Sequence, residues 1–225
     1  MTDWTPNPDV LLAHSHDTDR YLALLETAGS QRPAGARLSL CLSEADRHMA
    51  HWLLALHRID LTLPWLVLHP GVSDEKSGYS ARYVAEAAQT LIREHGYQLI
   101  LTGSAAERSF ADAVAQHLTG RVVNLTGQLA LGPLTALLAE APLLLTSNRG
   151  PVHMAAALQT PVVVMAVDAT TVPTPLPQPL PVATDVPSSS HTRHTVRQSL
   201  PPGVPLQRLV DAVLALVTSQ KSVVC

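Results

Sequence analysis

The 225-residue chain predicts an open, doubly wound α/β layer structure: a parallel sheet with helices on both faces, Rossmann-like in character. Three observations carry this. Short apolar runs recur at residues 65–69, 97–102, 121–125, 142–146 and 161–166. Between them lie stretches of about 10 to 15 residues whose apolar positions fall at helical spacing. Glycines and prolines punctuate the turns. Wholly apolar strands alternating with helices are the mark of βαβ units buried on both sides, and right-handed crossovers join such units into one layer.

Residues 1–60 hold a helix around Asp19–Ala28, a short apolar run at 38–42 and a helix around Glu44–Arg58. This is too little for a second complete nucleotide-type domain, so 1–60 reads as a truncated or linking segment. The core domain spans 61–171. It opens on the strand WLVLH (65–69), followed by a loop containing Gly71 and Gly78. A helix over Ala81–His95 carries Tyr83, Val84, Ala87, Ala88, Leu91 and Ile92 on one face, with Gly96 as its C-cap. YQLILT (97–102) is a strand, GSAAE a loop, and Ser104–Leu118 a helix. RVVNL (121–125) is a third strand, Leu131–Glu140 a third helix and PLLLT (142–146) a fourth strand. The polar stretch TSNRGPVH then leads into a short helix from Pro151 and a fifth strand at 161–166.

From 172 to 204 the composition shifts. Pro173, Pro175, Pro177, Pro179, Pro181 and Pro187 precede Ser188–Ser190, which excludes regular helix or a central strand and predicts an extended, polyproline-like excursion. The tail, 205–225, recovers an apolar helical face at Leu206, Leu209, Val210, Val213, Leu214 and Val217, and a closing helix docks there on the sheet region.

Composition narrows the function. A net charge of −3 with 15% charged residues provides no basic field for nucleic acid or an anionic membrane. No apolar run reaches the roughly 20 residues of a membrane span. Cys41 and Cys225 are too few for a disulfide framework and fit a reducing compartment; with no signal peptide evident, a cytoplasmic location is expected. Pairs such as His48/His51 and His191/His194 lack matching ligands at zinc-like spacing, so no metal is expected. Asp17-Thr18-Asp19 precedes a helix and reads as capping. No Gly-x-Ser-x-Gly elbow supports a hydrolase.

In such a sheet, ligands bind beyond the carboxyl ends of the strands. Gly150 would let a ligand approach the backbone. Pro151 suits the first helical position, and the amides of Val152 and His153 would then point from a positive helix end, an arrangement suited to phosphate. An ordinary βα loop with a proline start explains the same residues equally well. After the first strand, HPGVSDEK supplies Gly71, Ser73 and Lys76, a candidate phosphate partner or a solvated surface charge. TGSAAE supplies Gly103, Ser104 and Glu107; the carboxylate would accept from a ribose hydroxyl or simply favour the first turn of a helix.

HPG, then Lys76, LTGSAAE and LTALLAEAPLLLTSNRGPVHMAAALQTPVV, in that order, resemble glycosyltransferase family 9, the ADP-heptose:lipopolysaccharide heptosyltransferases. The likeness is clear over 65–166, and residues 14–30 look like the family's segment joining its two halves. It implies the C-terminal half of a GT-B glycosyltransferase, which binds the nucleotide-sugar donor. The implied reaction is metal-independent, inverting transfer of heptose from an ADP-heptose-like donor to a lipopolysaccharide or other glycan acceptor, with no cofactor. By position the resemblance places Gly71 and Val72 in the phosphate turn, with Ser73 beside them, and Lys76 on the diphosphate. It sets Glu107 on the ribose, with Gly103 and Ser104 in its turn, and Leu129 against the base. Asn148, Arg149 and Gly150 cradle diphosphate and sugar, with His153 one turn below.

Three departures stand out. Asn148 and Arg149 replace the family's usual Asp–Thr/Ser; AVDATTVPTPLPQP replaces its Gly–Pro–Thr turn; and the N-terminal acceptor domain with its catalytic aspartate has no counterpart. An inverting transfer needs a base within reach of the acceptor hydroxyl. The catalytic residues are therefore unknown, and a partner carrying the N-terminal half, or a homo-oligomer, is expected. A non-catalytic nucleotide-sugar binding module or partner subunit is the alternative. A fold-only relative, such as an epimerase-like half or a structural protein, is a third.

Overall fold

The structure is a computed structural model, and it describes residues 17–31, 39–71, 79–147, 149–165, 197–200 and 204–221. The chain divides into two compact units, residues 1–38 with 172–190, and 39–171 with 191–225. The first contributes one described helix, α1 (Asp17–Thr27). The second contains the sheet.

That sheet has six strands in the order β3-β2-β1-β4-β5-β6, and every neighbouring pair is parallel. The strands are β1 (Trp65–His69), β2 (Gln98–Leu101), β3 (Val122–Asn124), β4 (Leu144–Thr146), β5 (Val162–Met165) and β6 (Arg197–Leu200). The first five fall on the five apolar runs. The sixth lies inside the 172–204 stretch, for which the sequence predicts an extended polyproline-like excursion rather than a strand; the prolines exclude a central strand, but this one is at the edge. β6 pairs with β5 alone, at the sheet's edge, in the register Val162↔Arg197 to Met165↔Leu200.

The helices of this unit are α2 (Glu44–Leu56), α3 (Ala81–His95), α4 (Arg108–Ala115), α5 (Leu131–Glu140), α6 (Arg149–Leu158) and α7 (Leu206–Lys221). Local chemistry fixes several ends. The Ser80 hydroxyl accepts the Tyr83 amide to cap α3, and Gly96, at φ 69°, closes it in the left-handed region where glycine carries no Cβ penalty. The helix expected over Ser104–Leu118 is shorter. A 3₁₀ turn at Ala105–Glu107 comes first, because Ser104 and Glu107 form a capping box that tightens the entry.

Strand residues alternate between two cores. Leu66, Leu68, Leu99, Leu101, Leu145 and Val163 meet α3, α4 and α7, through Val84, Leu91, Phe110, Val114, Leu209 and Val213 among others. Val67, Ile100, Leu144, Val162 and Val164 meet α2, α5 and α6, through Leu54, Leu137, Leu138, Val152 and Ala155. Each fully buried leucine contributes roughly 1.5–3 kcal/mol relative to exposure. Both faces are dry, so the strands read as unbroken apolar runs rather than alternating ones. Since α2 supplies Ala50 and Leu54 to this second core, the sheet unit begins at residue 39, whereas composition alone sets the linking segment at 1–60.

Candidate functional site

The chain lays down β1, steps outward to β2 and β3, then returns to the other side of β1 for β4. The reversal falls between β1 and β4, and beyond the carboxyl ends of such a pair open α/β sheets form their ligand-binding crevice. Gly71 leaves β1 buried and at φ 81°, a conformation that favours glycine. Ser147 leaves β4, and its hydroxyl donates to the Pro70 carbonyl at 2.6 Å, tying the two loops across the crevice. α6 then starts with Arg149, with the exposed Gly150 second, so its positive end lies at this rim.

α6 opens two residues earlier than its proline suggests. Pro151 is the third helical residue, still inside the first turn where a missing N–H breaks no ladder bond. Val152 and His153 therefore stand fourth and fifth, so His153 lies past the first four amides that a helix start leaves free. Val152 is buried in the core, and the His153 side chain is exposed.

Beside the crevice, at the ends of β1 and β2, is a buried polar cluster. Glu107 is 5% exposed, and its Oε2 accepts the Ser104 amide at 2.6 Å. The same oxygen is 3.5 Å from Nε2 of His69, the last residue of β1, which is 4% exposed. Nδ1 of His69 lies 3.1 Å from the Thr102 hydroxyl. Together these hold the Glu107 carboxyl down at about 2. His69 is the largest cause; burial opposes it, and the Ser104 amide and hydroxyl add to the lowering. The Ser104 amide is at full hydrogen-bond distance. At 3.5 Å the His69 contact is loose, and Nε2 has no hydrogen-bond partner. The buried Thr126 hydroxyl also has none. A buried polar atom left this way costs about 1–3 kcal/mol.

The candidate residues that the structure describes share one rim. Gly71 follows β1; Gly103, Ser104 and Glu107 follow β2; Leu129 follows β3; Arg149, Gly150 and His153 follow β4. Leu129 is half-buried against the second core, just before α5. Val72, Ser73, Lys76 and Asn148 lie outside the described residues. Sequence reasoning passes over His69, Thr102 and Thr126 as site residues, and gives Ser147 no role. A polar residue ending an apolar strand run, as in WLVLH and YQLILT, is the signal that finds the first two.

An open groove of about 680 Å³ runs along α3, lined by Arg82, Glu86, Arg93 and His117 among others, and none of the candidate residues lines it. Among the described residues, no group of three or more His, Cys, Asp or Glu side chains could hold a metal ion. Nor is any helix among them long and apolar enough to cross a membrane.

A doubly wound parallel sheet with its crevice at the β1/β4 reversal is the fold of one half of a GT-B glycosyltransferase. The match to the family model for glycosyltransferase family 9 (heptosyltransferase) runs over residues 11–197, and the chain belongs to that family. Among solved structures it is similar to a glycosyl transferase family 9 protein from Veillonella parvula DSM 2008, with TM-score 0.62 and 24% identity, covering 67% of this chain and 43% of that one. It is similar also to E. coli ADP-heptose lps heptosyltransferase II, with TM-score 0.61, 19% identity and coverage of 81% and 54%. A third is E. coli heptosyltransferase WaaC with ADP-2-deoxy-2-fluoro heptose, at TM-score 0.50, 16% identity and coverage of 90% and 55%. The match thus spans about half the length of each of these relatives. No curated protein shows significant similarity to the chain.

Proposed function

We propose that this chain binds a nucleotide-diphosphate sugar, of the ADP-heptose kind, at the carboxyl rim of its sheet, and is the donor half of a transferase. Family membership supplies the reaction class, and the crevice between the Gly71 and Gly150 turns carries the placement, because Ser147 ties its two walls together. The diphosphate would lie between residues 71–76 and the start of α6, with Lys76 and Asn148 to Gly150 around it. The ribose would lie along the 103–107 turn, since the Glu107 carboxylate offers about four acceptor positions and can serve more than one donor. The base would rest against Leu129, and His153 would stand one turn below the sugar. The sugar would pass, with inversion and without metal or cofactor, to a glycan acceptor of the lipopolysaccharide type. The expected location is the cytoplasm, and the acceptor half would come from a partner protein or a second copy.

Calorimetry with ADP-, GDP- and UDP-sugars tests the reading. A specific donor at about a hundred times its Kd stabilises the fold by roughly 2.7 kcal/mol. Absence of both binding and stabilisation at millimolar ligand sinks it. Lys76→Ala should weaken binding about tenfold, the effect of losing a charge-assisted phosphate contact. Binding without turnover, even when an acceptor half and glycan are supplied, would assign the chain to the alternative, a non-catalytic nucleotide-sugar module.

A further inference from the structure

The His69–Glu107 pair has a geometry that a merely buried histidine lacks. Both side chains are almost wholly enclosed, with 5% and 6% of their surface exposed. They come from different elements, the end of β1 and the 3₁₀ turn after β2, so a bond between them would tie the two loops together. The carboxylate accepts a short bond from the Ser104 amide of its own turn, and a bond within one turn does not by itself set that turn's tilt against the sheet. His69 meets both members of that region, Thr102 through Nδ1 and Glu107 through Nε2. Among the described residues Glu107 is the charged group that faces the imidazole; Thr102, just after β2, and Thr146 on β4, the register partner of His69, are neutral.

We propose that His69 is a positioning residue: it donates from Nε2 to Oε2 of Glu107 and so holds the 103–107 turn at the angle the nucleotide pocket requires. The inference rests on the nucleotide-sugar reading for its consequence, but not for its geometry. With Nε2 protonated, the neutral imidazole accepts at Nδ1 from the Thr102 hydroxyl; in the cation, both nitrogens donate. Either form requires the 3.5 Å contact to shorten toward the roughly 2.7–2.9 Å of a charge-assisted bond. The absence of a side chain at Gly103 is what lets the carboxylate lie this close to the turn. A Cβ there would meet Glu107 Oε2 at 3.2 Å and Thr126 Cγ2 at 3.0 Å.

The experiment has two arms on the full chain. The first is a long-range ¹H–¹⁵N spectrum of the imidazoles at neutral pH, with the His69 signals assigned by their loss in His69→Gln. Nε2 bearing a proton is the expected result; an unprotonated Nε2 with the proton on Nδ1 overturns the proposal outright. The second arm measures binding of ADP and of inorganic pyrophosphate to wild type, His69→Leu and His69→Gln. His69→Leu should weaken ADP about tenfold while leaving pyrophosphate within about twofold, and His69→Gln, which keeps a donor near the Nε2 position, should recover most of the loss. Equal weakening of both ligands, or of neither, overturns the positioning role. A protonated Nε2 in a wild-type chain that binds neither ADP nor pyrophosphate keeps the His69–Glu107 bond and sinks the nucleotide reading instead.

Discussion

Ser147 and Pro70 are 77 residues apart in sequence, yet the hydroxyl of one donates to the carbonyl of the other at 2.6 Å, closing the gap between the loops that leave β4 and β1. Ser147→Ala removes that bond and leaves the Pro70 carbonyl to find another donor. Loss of stability should be modest, about 0.5–1.5 kcal/mol by urea denaturation. Donor affinity should fall by more than such a stability loss implies, because the bond sets the distance between the two proposed phosphate turns. Unchanged affinity in a folded Ser147→Ala variant would place the ligand elsewhere.

Gly103 is crowded rather than strained. A Cβ there would lie 3.0 Å from Thr126 Cγ2 and 3.2 Å from Glu107 Oε2. Gly103→Ala should therefore cost about 1–3 kcal/mol, as overpacking does. Thr126→Ser deletes the offending methyl while keeping the hydroxyl. The double variant should recover part of the loss, a coupling visible in a double-mutant cycle of thermal or urea stability. Strict additivity would show that the crowding lies elsewhere.

The lowered Glu107 carboxyl makes stability depend on pH. Its value is about 2 in the fold, against 4.5 ordinarily. A depressed carboxylate contributes its full stabilisation above the ordinary value and loses it as pH falls from about 4.5 toward 2. The size is on the order of 3 kcal/mol before discounting for burial of the charge. Glu107→Gln should flatten the stability profile in that window and lower it at neutral pH. A wild-type profile with no slope there would contradict the assignment.

Tyr83 anchors the closing helix. Its hydroxyl donates to the Val204 carbonyl at 2.8 Å, just before α7, and its ring lies 5.2 Å from that of Tyr79. Tyr83→Phe should keep the ring contact and cost about 0.5–1.5 kcal/mol. Amide exchange should rise first at the start of α7, and a uniform rise across the sheet would argue against a local anchor.

Much of this fold is legible from the sequence, and the reason is burial. Apolar runs such as LLLT (143–146) and VVV (162–164) can hide nowhere but inside a two-sided sheet, and Gly96 ends α3 because few other residues take its backbone angles cheaply. The loop residues that the resemblance marks do fall along one rim where the structure describes them. The pairing of His69 with Glu107, 38 positions apart, has no local pattern to betray it. The early start of α6 was hidden because Pro151 is equally content at the first or the third helical residue. β6 was masked by its neighbourhood, since four residues at a sheet edge need neither a long apolar run nor freedom from nearby prolines.

The order of the strands also governs when the rim exists. β1 acquires its β2 neighbour soon after it is made, but its other side stays bare until β4 is made. Half of the crevice is thus contributed by a pairing of high sequence separation, of the sort that slows folding. During synthesis a nascent chain ending near residue 140 would have one helix-covered flank and no binding pocket. The proposed donor binding should therefore become possible only once Arg149 has left the ribosome.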